Sequence, residues 1–346
     1  SPTQRADSPG KSACPAFAAL DLGTKYCRML IGAPAGDGFR VLDSFSRIVR
    51  LGEGLHHTGE LSLPAMERAI AALQACAQRL ARRPVRQVRA IATEACRRAI
   101  NGSAFLDRVK RETGLQVGII SSREEAELAV ESCTPLLAGE ERRALLFDIG
   151  GGSTELAWIR LGGPRAELIG YKSLPFGVVT LAEKWGHAGF SATGFEAMVD
   201  DIIERLAPFE AVHCIAHEIR IGGVKLLGTS GTVTTLAGVA LNLERYRRPA
   251  VDGVALAGDD ADMALSALRG MGREGLLRHP CVGPERVDFV LPGCAVFAAI
   301  RALWPAPKVV VADRGLREGM LLRMIRADRA GHGRGDGRWR GHAGRG

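Results

Sequence analysis

Hydrophobic residues occur along the chain in short runs that alternate with longer stretches of helical spacing. Short runs typical of strands occur at 17–20, 27–31, 88–92, 117–120, 144–147, 155–159, 225–228 and 308–312. Helical spacing covers 64–82, 105–112, 122–137, 195–206, 232–241, 262–270 and 314–326. Strands that alternate with helices predict an α/β fold in which helices pack on mostly parallel sheets.

One short pattern occurs twice, once in each half of the chain. In both copies an apolar strand leads to an Asp, an apolar residue and a glycine turn with a hydroxyl residue, and another apolar run follows. The copies begin at Asp21 and at Asp148. A repeat on this scale indicates a duplicated domain rather than a solenoid.

The length of the chain also favours two domains, because 346 residues exceed the size at which one hydrophobic core stops growing. Gly139 and four charged residues interrupt the apolar pattern near 138–143. We therefore predict an N-terminal domain over 16–140 and a C-terminal domain over 141–328, with the last helix able to pack back on the first domain.

The net charge of +8 overstates the basicity of the folded part. Residues 329–346 contain five Arg and one Asp among many glycines, and residues 1–15 mix Pro, Ser and Gly. We expect both ends to be disordered, because neither has apolar residues at a regular spacing. Without its tail the chain is only mildly basic, which disfavours nucleic-acid binding as its main role.

The cysteines and the apolar stretches bear on the cellular compartment. Eight cysteines are scattered without a Cys-x-x-Cys pair, which fits reduced thiols in a cytoplasmic protein. The longest uncharged apolar stretch, 289–300, is shorter than a membrane span and contains Pro292 and Gly293. We expect no membrane helix and no signal peptide. His213 and His217 have helical metal spacing but no third ligand, so a zinc site is not expected.

The strongest chemical signal is the glycine loop that follows Asp148. The loop consists of Gly150, Gly151, Gly152, Ser153 and Thr154. Its backbone N–H groups and its hydroxyl groups can all donate hydrogen bonds to one anion. Acidic residues, Asp148 and Glu155, bracket the loop, and an Asp at a strand end is a natural Mg²⁺ ligand. The pattern favours phosphate binding, while a plain hairpin turn is the alternative.

A second candidate phosphate loop contains Ser230, Gly231 and Thr232. It follows a predicted strand and opens an apolar helix, so its amides can face an anion at the helix N-terminus. Ser and Thr at this place are equally common as simple helix caps, and both interpretations stay open.

Glu125 is a candidate general base. On the predicted helix Glu124, Glu127 and Glu131 form one polar stripe, whereas Glu125 lies about 100° away on the side of Leu128. A carboxylate on this less polar side is partly desolvated, which raises its pKa and suits proton abstraction from water. The alternative is that these acids only stabilise the helix N-terminus.

Two arginines are placed to neutralise a phosphate substrate. Arg28 follows the first glycine turn, and Arg97 follows the strand that ends near Thr93. Ligand crevices in α/β sheets form just beyond strand ends, which favours phosphate binding over an ordinary surface role.

Taken together, these motifs resemble the exopolyphosphatase and guanosine pentaphosphate phosphatase family over roughly residues 17–326. The matching segments are Asp21-Leu22-Gly23-Thr24 with Arg28, 92–97, 124–127, 148–155, Leu174-Pro175-Phe176-Gly177, 228–235 and 313–319. The resemblance implies duplicated ribonuclease-H-like domains of the actin-like ATPase superfamily, with the active site in the interdomain cleft.

The resemblance also implies roles for individual residues. Glu125 would activate the attacking water, and Asp148 and Glu155 would serve catalysis and hold Mg²⁺. Thr24 and Lys25 in the first turn, with Arg28 and Arg97, would hold phosphate. Lys25 stands where the family usually has Asn, and Tyr26 stands where a small residue is common.

We therefore expect a cytoplasmic, Mg²⁺-dependent hydrolase that removes the terminal phosphate of inorganic polyphosphate. Hydrolysis of guanosine pentaphosphate to the tetraphosphate is the close alternative. An actin-like-fold kinase and a non-catalytic polyphosphate or alarmone sensor are further alternatives. A homodimer is expected only by analogy with the family.

Overall fold

A computed structural model of the protein describes residues 15–333. It contains two β-sheets, one from each half of the chain. The strands of the first sheet are β1 Phe17–Leu22, β2 Tyr26–Ala35, β3 Gly38–Ile48, β4 Gln87–Ala92 and β5 Val117–Ile119. Those of the second are β6 Arg143–Ile149, β7 Thr154–Arg160, β8 Glu167–Leu174, β9 Val224–Thr229, β10 Ala255–Ala257 and β11 Lys308–Ala312.

Helices connect the strands and cover the sheets. In the first half they are α1 Leu55–Thr58, α2 Leu63–Ala81, α3 Glu94–Arg98, α4 Gly102–Thr113 and α5 Ser122–Ser132. In the second half they are α6 Val178–Trp185, α7 Ala192–His213, α8 Ile215–Arg220, α9 Gly231–Ala240, α10 Arg248–Val251, α11 Gly258–Gly270, α12 Gly272–Arg278, α13 Val287–Leu303 and α14 Leu316–Gly333. Two 3₁₀ helices lie at Thr134–Leu136 and Gly186–Phe190. In the part of the chain described here, no helix is both long and apolar enough to cross a membrane.

The two sheets follow the same path. The order β3-β2-β1-β4-β5 in the first corresponds to β8-β7-β6-β9-β11 in the second, where β10 adds an edge strand. In each sheet the first three strands are antiparallel and the next two join in parallel. The expected duplication is present, but the expectation of mostly parallel sheets is wrong, because short turns after the first two strands of each repeat produce antiparallel hairpins.

Three hydrophobic cores hold the molecule together. One lies in each half, and a third lies between the sheets, where α5 and α14 pack. Phe17 and Ile91 from the first sheet share this third core with Leu146 and Leu227 from the second. The C-terminal helix therefore packs back against the first half, and α5 is held between the two halves.

Several helix limits differ from the sequence predictions. Helix α5 stops at Ser132 instead of 137, because Pro135 cannot donate the backbone hydrogen bond that would continue it. Helix α14 spans Leu316–Gly333, whereas the sequence predicted a helix over 314–326. Helix α13 runs through Pro292, since burial of 11 of its 17 residues outweighs one lost hydrogen bond. The predicted disordered segments lie mostly outside the described residues, at 1–14 and 334–346.

Candidate active site

An open cavity lies between the two halves of the molecule. Most of the residues proposed from the sequence line it: Thr24, Lys25, Arg28, Glu125, Asp148, Gly150, Gly151, Gly152, Ser153, Glu155, Ser230, Gly231 and Thr232. They come from both repeats and from α5 and α9. The structure thus brings both glycine-containing turns, the second phosphate loop and the acidic residues to one place.

The two glycine turns meet across the cavity at very short range. A Cβ atom on Gly152 would lie 2.7 Å from Thr24 Oγ1, and one on Gly151 would lie 3.2 Å from Lys25 Cβ. A Cβ atom on Gly177 would lie 2.4 Å from the carbonyl oxygen of Gly150. Side chains at these positions would push the turns apart, so the glycines are required by close packing as well as by access to backbone N–H groups.

The loop before α9 has an unusual backbone. Ser230 has φ 122°, a value that a residue with a side chain rarely adopts, and its buried Oγ has no hydrogen-bond partner among the described residues. Both features are typical of a residue held in a strained conformation at a ligand site. Helix α9 begins directly after it, so the helix N-terminus opens into the cavity.

Three carboxyl groups at strand ends share the cavity. Asp148 and Glu155 are direct cross-strand neighbours on β6 and β7, and Asp21 occupies the equivalent place on β1. Burial, with repulsion from Glu155, raises the pKa of Asp148 to about 8. Burial also raises the pKa of Glu155 to about 7 and that of Asp21 to about 6. The three groups resist being ionised together unless a cation joins them.

Glu125 enters the cavity from the first turn of α5. The helix begins at the cap formed by Ser121, whose Oγ accepts a hydrogen bond from the Glu124 N–H at 3.1 Å. Glu125 is only 7% exposed. Burial raises its pKa well above the usual range, repulsion from Glu155 adds to the shift, and the Arg97 guanidinium opposes it.

Two of the predicted phosphate ligands do not line the cavity. Arg97 donates to Glu125 Oε2 from Nη1 and Nη2, each at 3.2 Å, to Glu94 Oε2 at 2.7 Å and to the carbonyl of Ile120 at 2.9 Å. Thr154 is fully buried and donates its hydroxyl to the carbonyl of Phe176 at 2.9 Å. Arg97 therefore holds the candidate base, and Thr154 holds the segment that follows β8.

The donor set fits a hard divalent cation. Within residues 15–333 no cluster of three His, Cys, Asp or Glu side chains forms a ready-made metal cage. Mg²⁺ is commonly held by only one or two carboxylates, with water and substrate phosphates completing its shell. Asp21 Oδ1 is buried without a hydrogen-bond partner, so the acidic group has unused acceptor capacity.

Several residues of the cavity wall were not predicted from the sequence, and three of them are charged or aromatic groups that face the loops. Asp21 belongs to the first repeat of the Asp-to-glycine pattern, and its equivalence with Asp148 could have identified it. Arg286 and Phe289 also line the cavity. No signal in the sequence marked them, because Pro292 and Gly293 obscured the helix to which Phe289 belongs.

The two mixed sheets have the same strand order, and the cleft between them is lined by loops of the kind that bind phosphate. This fold is that of the actin-like ATPase superfamily. The comparisons with known proteins are more specific. The sequence model of the Ppx/GppA phosphatase family matches residues 31–328. The chain therefore belongs to the Ppx/GppA phosphatase family.

Solved structures of the family agree. An exopolyphosphatase from Cytophaga hutchinsonii is 25% identical with a TM-score of 0.80, over 90% of this chain and 98% of that one. An Aquifex aeolicus family member is 26% identical with a TM-score of 0.74, over 91% and 98%. A protein described as exopolyphosphatase-like is 28% identical with a TM-score of 0.78, over 89% and 97%.

Proposed function

We propose that this phosphatase is a Mg²⁺-dependent exopolyphosphatase that removes the terminal phosphate of inorganic polyphosphate. One observation carries the proposal: Glu125 is buried in the same cavity as the glycine loops, with its carboxyl group fixed by Arg97. A polyanion end bound by the loops would lie in a cavity that also contains a carboxylate able to accept a proton from water.

Backbone N–H groups and hydroxyl groups would bind the terminal phosphate. Gly151 and Gly152 of one loop and Gly231 of the other present their backbone at the cavity, and Thr24 and Ser230 add hydroxyls. Asp148 and Glu155 would hold Mg²⁺, which would neutralise charge on the phosphate oxygens. The raised pKa values of these carboxyls are consistent with a site completed by a cation.

The hydrolytic step needs one base. Glu125 accepts a proton from water, the water oxygen attacks the terminal phosphorus, and the bridging P–O bond breaks. Orthophosphate and the shortened chain are the products, and the shortened chain leaves as an anion without needing a proton. Because Glu125 acts in its ionised form, activity is expected to rise with pH through the pKa of its carboxyl group.

Guanosine pentaphosphate is the second candidate substrate. A specific observation favours it: one wall of the cavity is apolar, formed by Val178, Leu268, Val290 and Cys294. Such a wall suits a nucleoside better than a bare phosphate chain.

Phosphate release from both substrates, measured side by side with Mg²⁺ present, tests the proposal. We expect orthophosphate from polyphosphate with a higher kcat/KM than from guanosine pentaphosphate. A reversed preference would favour the nucleotide. Release from neither substrate under any divalent cation would contradict the proposal and favour a binding-only role.

A further inference from the structure

One hydrogen bond joins the two halves of the molecule beside the cavity. The backbone N–H of Gly54, in the turn between β3 and α1, donates to Glu183 Oε1 on α6 at 2.9 Å. The two residues are 129 positions apart in the sequence and come from different halves. Neither is among the residues that line the cavity, so any effect of this bond on the site is indirect.

In the first half, Gly54 is tied to the turn between β1 and β2, residues 23–25, which we call the first turn. The N–H of Gly52 donates to the carbonyl of Thr24 at 3.0 Å, and two further backbone hydrogen bonds from the same segment reach the carbonyl of Lys25. A Cβ atom on Gly52 would lie 2.3 Å from Thr24 Cγ2, so the segment packs directly on the first turn. The position of Gly54 is therefore coupled to that of the first turn.

In the second half, Glu183 is tied to the glycine loop. Helix α6 begins directly against this loop: the N–H of Val178 donates to the carbonyl of Gly150 at 3.0 Å, and the N–H of Val179 donates to that of Gly151 at 2.8 Å. Glu183 lies just over one turn further along the same helix. Its backbone is therefore held at a set position relative to the glycine loop.

The bond between Gly54 and Glu183 connects the two elements that meet most closely in the site. Thr24 of the first turn approaches Gly152 of the glycine loop so closely that the glycine has no room for a side chain. The halves are also joined by the core between the sheets, and a second point of attachment limits rotation about the first. The bond therefore limits how far the first turn can lie from the glycine loop.

The carboxyl group of Glu183 is a poor stabiliser of the folded chain as a whole. Its Oε2 is buried and has no hydrogen-bond partner among residues 15–333. A buried acceptor without a partner costs free energy of folding, and the cost is larger for a charged group. This cost offsets the gain from the Gly54 N–H, so the main effect of the bond is on the relative position of the two loops.

We propose that Glu183 is a positioning residue: through Gly54 it holds the first turn against the glycine loop, so that both can contact one phosphate group. The proposal goes beyond the residues assigned above and rests on the proposed function for the identity of the substrate. Where this bond is missing, a ligand that contacts both elements has to draw them together itself, which lowers its affinity.

Amide hydrogen exchange measured by NMR tests the bond in the ligand-free protein. Glu183→Ala removes the acceptor, so we expect the amides of Gly52 and Gly54 to exchange on the order of tenfold faster than in the wild type. Glu183→Gln keeps a carbonyl oxygen that can accept the same N–H and should keep most of the protection. Glu274→Ala, which removes an exposed carboxylate from α12, is the matched control and should leave both amides unchanged.

Hydrolysis kinetics with Mg²⁺ separate positioning from a loss of folded protein. In Glu183→Ala we expect KM for polyphosphate to rise on the order of tenfold while kcat falls less than about threefold, because bound substrate restores the spacing of the loops. Glu183→Gln should return KM close to the wild-type value. A merely structural role would reduce the folded fraction instead, which lowers kcat at unchanged KM.

Equal exchange of the Gly54 amide in Glu183→Ala and the wild type would overturn the proposal, and so would an unchanged KM. Should Glu183→Ala fail to fold, Glu183→Leu removes the acceptor while filling the same space, and the same measurements apply. A wild-type protein that releases no phosphate from polyphosphate would contradict only the proposed function, because amide exchange decides the positioning role without turnover.

Discussion

Both terminal nitrogens of Arg97 lie 3.2 Å from the same carboxylate oxygen, Oε2 of Glu125. The arginine is anchored in turn by Glu94 and by the carbonyl of Ile120. This arrangement fixes the Glu125 carboxyl group and partly offsets the cost of burying its charge. We infer that Arg97 positions Glu125, and its expected role as a phosphate ligand stays a prediction.

Replacement of Arg97 by Gln should shift the pH profile of hydrolysis. Loss of the guanidinium removes the charge that lowers the pKa of Glu125, so the base will ionise at higher pH and the acid limb of kcat should move to higher pH. We expect kcat near pH 7 to fall on the order of tenfold or more. Arg98→Gln, at the exposed neighbour, is the control and should leave the profile in place. An Arg97→Gln profile that coincides with the wild type would refute the positioning role.

Gly319 provides a test of how α14 supports α5, the helix that carries Glu125. A Cβ atom at this position would lie 2.3 Å from the carbonyl oxygen of Leu128 on α5, one turn beyond Glu125. Gly319→Ala should therefore separate the helices, lower the free energy of unfolding by roughly 1–3 kcal/mol and reduce kcat.

Gly331→Ala on the same helix is the matched control, because nothing lies within 4 Å of its Cβ position. Alanine favours helix over glycine by up to about 1 kcal/mol, so this variant should be as stable as the wild type or more so. Urea denaturation and phosphate release measure both effects. Equal behaviour of the two variants would mean that the contact between α5 and α14 does not control the site.

Asp148 should make the metal-free protein less stable as the pH rises. Its pKa is raised from 3.8 to about 8 in the folded state, so the folded protein holds this proton more tightly than the unfolded chain. The stabilisation that this bound proton gives the folded state is complete below pH 3.8 and is lost as the pH rises towards 8. Asp148→Asn, which cannot ionise, should therefore gain stability relative to the wild type between pH 5 and 8, on the order of 4 kcal/mol.

Urea denaturation of Asp148→Asn and of the wild type, each at pH 5 and at pH 8, measures the effect. Asp37→Asn, in the exposed turn between β2 and β3, is the control and should show no such pH dependence. Added Mg²⁺ should stabilise the wild type at pH 8 far more than Asp148→Asn. A variant that is less stable than the wild type at pH 8 without metal would contradict the assigned burial penalty.

Much of the fold could be predicted because the repeat is visible in the sequence. The Asp-to-glycine pattern at Asp21 and Asp148 marks equivalent turns, and two equivalent turns imply two equivalent sheets that can face each other. The glycine run also indicates a close approach of backbone, and the structure shows it at Gly151 and Gly152, where a side chain would collide with Thr24.

What could not be predicted depends on contacts between distant segments. The sequence around Arg97 does not reveal that its guanidinium donates hydrogen bonds to Glu125. The two residues are 28 positions apart, so only the fold brings them together. Thr154 has the composition of a phosphate loop, yet the register of β7 turns its hydroxyl towards Phe176. Phe289, whose ring centroid lies 4.0 Å from Lys25 Nζ, belongs to helix α13, which the sequence did not predict because it contains Pro292.

The most direct test of the central claim is turnover of polyphosphate by Glu125→Gln. Glu124→Gln is the matched control, because Glu124 is the adjacent residue of α5 and pairs with Arg89 outside the cavity. With Mg²⁺ present, we expect Glu125→Gln to lower kcat by roughly 10²–10⁴-fold in a protein that still folds, and Glu124→Gln to stay close to the wild type. Wild-type turnover by a folded Glu125→Gln protein would show that this carboxylate does not activate the water.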